Sequence, residues 1–290
     1  DLLGSGTVNV SGSGVSLGLA GAANSTLVVD GPTVNFTGAL RQATANLTVD
    51  GGTVKITSRL SAGVAGWAGN FSGGTVTIAT GGGYGIRLGD DNFTFNGSGG
   101  NTGTGQLSAT ITQATGSTVT VGGAGVQIGS GSTAGTTATD TYTLNGGSLT
   151  TTNLQIAANG TSETAEFDLA GGTITVTNPT PTTANGNGLA FGTSLGSGSS
   201  AAFNFETGNG VLILKDASGT TPWTFATLTS IANSKFLVNG VAATSSELTF
   251  KADSTLAGYT DIALAPEPAS LGLLAVGGMS LLLVRRKKAC

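Results

Sequence analysis

A pair of glycines, flanked on both sides by alternating apolar and polar residues, recurs along this chain and constrains its fold more than any other feature. The clear copies are LTVDGGTVKIT at 47–57, FSGGTVTIAT at 71–80, YTLNGGSLTT at 142–151 and FDLAGGTITVT at 167–177; a degenerate copy, LVVDGPTVNFT, occupies 27–37. Alternation with period two and β-branched side chains is the signature of a half-buried strand. Glycine supplies the φ > 0 conformations that a tight bend requires. Each copy therefore reads as strand, Gly-Gly bend, strand.

A second motif, an apolar pair ending in or near Gly, alternates with the first: GIRLG at 85–89, GVQIG at 125–129, NLQIA at 153–157 and GLAFG at 188–192. The Gly-Gly pairs at 51–52, 73–74, 122–123, 146–147 and 171–172 are separated by 22, 49, 24 and 25 residues, and a weaker turn at Gly99-Gly100 divides the long interval. A period of that size is one rung of a solenoid. The reading is all-β: a right-handed parallel β-helix over 1–216, a C-terminal β cap over 217–264 and one short hydrophobic C-terminal helix. Leu47, Val49, Val54 and Ile56 should point inward and stack on their equivalents in the next rung. About ten rungs at ~4.8 Å each give a rod on the order of 50 Å long. Gly-Gly also suits β-hairpins, so an antiparallel sandwich is the alternative; the alternating second motif favours the solenoid. Asn178-Pro179-Thr180-Pro181 should bulge as a loop. The segment 217–264 carries Trp223, Phe225, Phe236, Phe250 and Tyr259, aromatics suited to closing the open end of a stack.

Composition narrows the function classes. Gly contributes 50 of 290 residues and charged residues only 9%, against about 25% in an ordinary soluble domain. Such a chain could be disordered, but the strand-like segments carry more apolar content than disorder allows. The net charge is −4; four of the eleven cations lie at 285–288, and without them it is −8 (−4 minus 4). An acidic body with so few Lys and Arg is unsuited to nucleic acid. There is no His, and the single Cys is the last residue, so the body must stand on packing and hydrogen bonds rather than disulfides.

The C-terminus has a separate logic. Pro266-Glu267-Pro268-Ala269-Ser270 precedes an uncharged run, Leu271 to Val284, and then Arg285-Arg286-Lys287-Lys288. With Ala269 and Ser270 the apolar stretch is 16 residues, just short of the ~17–25 that cross a bilayer. Four cations after it would hold that end in the cytoplasm. This order resembles the PEP-CTERM sorting signal of Gram-negative and related bacteria. The resemblance covers residues 265–290 and implies an exported protein, a helix at 269–284 in the lipid bilayer, and an exosortase partner that cleaves near Pro266, Glu267 and Pro268. An uncleaved permanent anchor would have the same sequence. A C-terminal sorting signal also implies an N-terminal export signal, so residues are expected to precede Asp1. The Gly-Gly repeat is similar to passenger repeats of bacterial autotransporters over about residues 5–215; that resemblance implies the solenoid fold and, without a C-terminal barrel, not the secretion route.

Catalytic chemistry is poorly supplied. The commonest acid–base group and the body's Cys ligands and nucleophiles are missing, and no cofactor is called for. The acidic groupings are Asp90-Asp91 and Glu163/Glu166/Asp168. Glu166 and Asp168, two apart, share one face of a strand and are weak candidates for Ca²⁺; a solvated acidic patch is the reading retained. In GGGYGIRLGDD at 81–91, Arg87 occupies the position where a calcium-binding nonapeptide would need Asp. The chain thus reads as a non-enzymatic, adhesin-like structural protein of the bacterial surface or extracellular matrix, offering Thr, Ser and Asn to extracellular polysaccharide. A β-helical polysaccharide lyase or hydrolase, and a passive surface-layer spacer, are the alternatives.

Overall fold

The computed structural model describes residues 1–17, 26–42, 46–62, 66–79, 83–89, 108–129, 138–156, 163–180, 188–192, 198–216 and 222–266. Within them the chain is all-β apart from the one-turn helix Phe225–Thr229. Its strands form three parallel ladders, visited in the same order on each circuit, an arrangement consistent with a β-solenoid.

The first ladder stacks Leu2–Leu3, Thr26–Asp30, Asn46–Val49, Trp67–Phe71, Ala109–Gln113, the first halves of Ala138–Thr151 and Glu163–Val176, Ser200–Phe205 and Phe236–Val238. The second stacks Thr7–Leu17, Thr33–Gln42, Thr53–Ile56, Thr75–Ile78, Thr118–Val121, the second halves of the two long strands, and Val211–Lys215. The third contains the last residues of Thr33–Gln42, then Leu60–Ala62, Ile86–Leu88, Val126–Ile128, Leu154–Ile156 and Leu189–Phe191. Every copy of the second sequence motif falls in this third ladder.

Inward residues are those the alternation selects. Leu47, Val49, Val54 and Ile56 are buried, as are Val76 and Ile78 in the rung above. The first ladder's interior becomes aromatic: Tyr142, Phe167 and Phe203 stack at 5.2 and 5.1 Å between ring centres. The buried Gln113 is satisfied, accepting from the Tyr142 hydroxyl at 2.7 Å and donating to the Ser148 carbonyl at 2.8 Å. A buried amide without such partners would cost about 1–3 kcal/mol.

The Gly-Gly pairs at 51–52, 73–74, 146–147 and 171–172 form the corner between the first and second ladders, the second glycine of each at φ between 68° and 73°. Gly122-Gly123 does not belong to this series. Thr118 stands directly beside Thr75 and Ser148, so the equivalent corner is Ala114–Ser117. Gly122 follows the second ladder, its amide bonding to the Ile78 carbonyl. The 49-residue interval therefore holds one step of the stack, not two, and Gly99-Gly100 lies outside the described residues. Among the described residues the second ladder has eight parallel strands where about ten rungs were expected, and the nine described strands of the first ladder span ~38 Å at ~4.8 Å per step. Asn178 and Thr180 leave the second ladder as non-strand residues, Asn178 Nδ2 donating to Asn153 Oδ1 at 3.0 Å and the buried Thr180 hydroxyl accepting from the Leu189 amide at 2.8 Å; Pro181 and the rest of the expected loop lie outside the described residues.

The stack closes with a change of direction. Tyr259–Leu264 pairs antiparallel with Val211–Lys215, and Leu248–Ala252 pairs antiparallel with Tyr259–Leu264. Trp223 is buried beneath this layer, its Nε1 donating to the Lys215 carbonyl at 3.2 Å. The first ladder continues past residue 216 by one strand, Phe236–Val238.

Candidate functional site

Among the described residues, the outward side of the second ladder carries side chains in regular columns. One column reads Thr7, Thr33, Thr53, Thr75, Thr118, Ser148 and Thr173, a hydroxyl on seven successive strands, before Val211 ends it. Two residues further along each strand, the next column reads Asn9, Asn35, Lys55, Thr77, Thr120, Thr150 and Thr175. Among the described residues, hydrogen bonds within these columns run from Asn35 Nδ2 to Asn9 Oδ1 at 2.8 Å and from the Ser148 to the Thr118 hydroxyl at 3.5 Å. The second is at the limit of a hydrogen bond. The remaining hydroxyls are therefore available to a partner. The alternation places these residues outward; that they form unbroken columns follows from register between rungs, which no single strand encodes.

The acidic grouping splits. Glu166 and Asp168 lie half-buried on the outward side of the first ladder, as their spacing requires, while Glu163, an odd number of residues away, turns inward and is buried. Asp168 Oδ1 accepts from Asn204 Nδ2 at 3.1 Å, and Asn204 Oδ1 accepts from the Gly240 amide at 3.0 Å. Burial holds the Glu166 carboxyl above its ordinary range; the charge of Asp168 adds to this, and Lys235 opposes it. Burial likewise raises Asp168, against the hydrogen bonds it accepts, and Glu206, which feels the Asp168 charge. Glu166 and Asp168 stand side by side on one face of the strand, close enough that the Asp168 charge raises Glu166. Among the described residues no group of three or more acidic, His or Cys side chains converges as a metal site.

Inside, Glu163 meets Asp140 of the preceding coil, a residue that no sequence motif marked; its even spacing from the inward Tyr142 was the available signal. Asp140 is fully buried, and Oδ1 accepts from the Ala109 amide at 2.9 Å. Burial first, then the Glu163 charge, push the Asp140 carboxyl well above the usual range, the Ala109 amide opposing. Its other oxygen packs against Gly89, where a Cβ would come within 2.3 Å of it.

Pro266 is exposed, one residue beyond the last backbone bond of the closing layer, from the Ala265 amide to the Glu247 carbonyl at 2.7 Å. Glu267, Pro268, the span 269–284, the cations Arg285, Arg286, Lys287 and Lys288, and Asp90-Asp91 lie outside the described residues. Among the described residues no helix is long and apolar enough to cross a membrane. No family model, curated protein or solved structure matches the chain.

Proposed function

We propose that this chain is an exported, non-enzymatic, adhesin-like rod of a Gram-negative-type bacterial surface or extracellular matrix. The observation that carries the reading is the fixed order of Pro266-Glu267-Pro268, an uncharged run and four cations at 285–288. In this reading 265–290 is a PEP-CTERM signal, 269–284 enters the lipid bilayer as a helix, and exosortase removes or retains the tail. Residues 1–216 form a right-handed β-helix, the hand that parallel crossovers adopt, with 217–264 as its cap. Support for the rod comes from the parallel ladders and antiparallel closing layer, and support for access to the motif from the exposed Pro266. The hydroxyl columns offer polysaccharide a long polar contact surface without cofactor or metal. The test is expression of the full precursor with and without exosortase, reading intact mass and location. A product shortened near Pro268 and released only when the enzyme is present supports the reading. Identical full-length products in both hosts refute processing.

One observation favours a second reading, a polysaccharide-active enzyme: Glu166 and Asp168 are adjacent, half-buried carboxyls on one outward face, both raised by burial, a combination suited to general acid chemistry. Polysaccharide turnover lost in Glu166→Gln and Asp168→Asn would establish it; absence of turnover over a broad panel would dismiss it.

A further inference from the structure

Four successive strands of the second ladder, from Thr75–Ile78 to the end of Glu163–Val176, present nothing but hydroxyl side chains outward: Thr75 and Thr77 open the array, and Thr173 and Thr175 close it. Its two repeats are set by the backbone. Neighbouring rungs are ~4.8 Å apart, and residues i and i+2 of one strand ~6.7 Å apart. At the rung spacing, hydroxyls cannot satisfy one another, since an O–H···O bond needs about 2.5–3.0 Å. The one contact across these rungs, Ser148 to Thr118, is at 3.5 Å. The other hydroxyls of the array are left open to water, which would meet them at positions repeated by the same two spacings.

The array is also rigid. Behind it Val76, Val119, Leu149 and Ile174 are fully buried in register, and threonine's branched Cβ restricts χ1. The ordering cost of such a surface is met on folding rather than on binding. The outward positions of the four strands carry no charge and no aromatic ring. A rigid, uncharged grid of hydroxyls and methyls at these two spacings is close to the oxygen repeats on the faces of hexagonal ice. We propose that this face binds ice, holding a layer of ordered water continuous with the crystal surface. The inference goes beyond the surface-rod reading and does not depend on the sorting tail.

The test uses the 290-residue chain and measures its partition into slowly growing polycrystalline ice and its suppression of recrystallisation. Thr120→Arg puts a long cation in the middle of the array; Thr110→Arg puts the same side chain on the outward, exposed side of the first ladder. Circular dichroism verifies that both remain folded. The expected result is enrichment of the wild type in ice and suppressed crystal growth, both lost in Thr120→Arg and kept in Thr110→Arg. Wild-type partition no greater than that of an inert protein, or equal behaviour of the two variants, overturns the proposal. Binding to insoluble polysaccharide that Thr120→Arg abolishes, with no ice activity in the wild type, also overturns it and leaves the surface-rod reading standing.

Discussion

Phe167→Ala should unlock the stack locally rather than everywhere. Phe167 is fully buried, with Tyr142 at 5.2 Å on one side and Phe203 at 5.1 Å on the other, the rings within 15° of parallel. Truncating a buried Phe costs about 3–5 kcal/mol. Two aromatic contacts, each worth about 0.5–1.5 kcal/mol beyond area, place this site in the upper part of that range, ~4 kcal/mol. In a solenoid each coil touches only its neighbours, so the loss should concentrate there. The assay is amide hydrogen exchange resolved along the chain. At about tenfold per 1.4 kcal/mol, protection should drop by roughly three powers of ten around Tyr142, Phe167 and Phe203. Around Val34 and Val54, four and more rungs away, it should hardly change. Phe167→Leu, which keeps most of the volume, should cost less than ~1.5 kcal/mol. A loss under ~1 kcal/mol for Ala, or an equal loss of protection at Val34, would refute the argument from column packing.

Gly172→Ala should cost more than Gly240→Ala in denaturant midpoint: both have positive φ (70° and 77°), but only at Gly172 would a Cβ meet backbone, the Gly147 carbonyl at 2.5 Å. The conformational part alone is about 1–2 kcal/mol at each. Gln113→Leu should destabilise by about 1–3 kcal/mol because it strands the Tyr142 hydroxyl, and Tyr142→Phe added to it should recover much of that loss; additive losses in the double mutant would contradict the pairing. Burial first, then Glu163, push the Asp140 carboxyl well above its ordinary range, so the folded state keeps to higher pH a proton that the unfolded chain releases near pH 4. Its contribution is therefore complete below about pH 4 and declines as pH rises toward the raised folded value. Asp140→Asn, which keeps an acceptor for the Ala109 amide, should flatten the fall in stability as pH rises above about 4; an unchanged pH profile would contradict the buried-pair assignment.

How much of this was legible in the chain depends on the range of the forces involved. Alternation in TVTI and TITV, and glycine at the bends, act within a few residues, and they were enough to identify strands, corners, inward residues such as Val54 and Ile56, and a stacked architecture. The outward pairing of Glu166 with Asp168 followed from spacing alone. Which corners are equivalent did not: Thr75 and Thr118 are neighbours although 43 residues apart, because lengthening a surface loop costs little entropy while burying Val76 against Val119 gains a great deal. The same cause brought Asp140 to Glu163 and aligned the threonines into columns. By itself the sequence determined the strand pattern, the glycine bends and the composition of each face. The tertiary structure decided register, because register is chosen by which apolar rows can be buried together, and that choice exists only between coils.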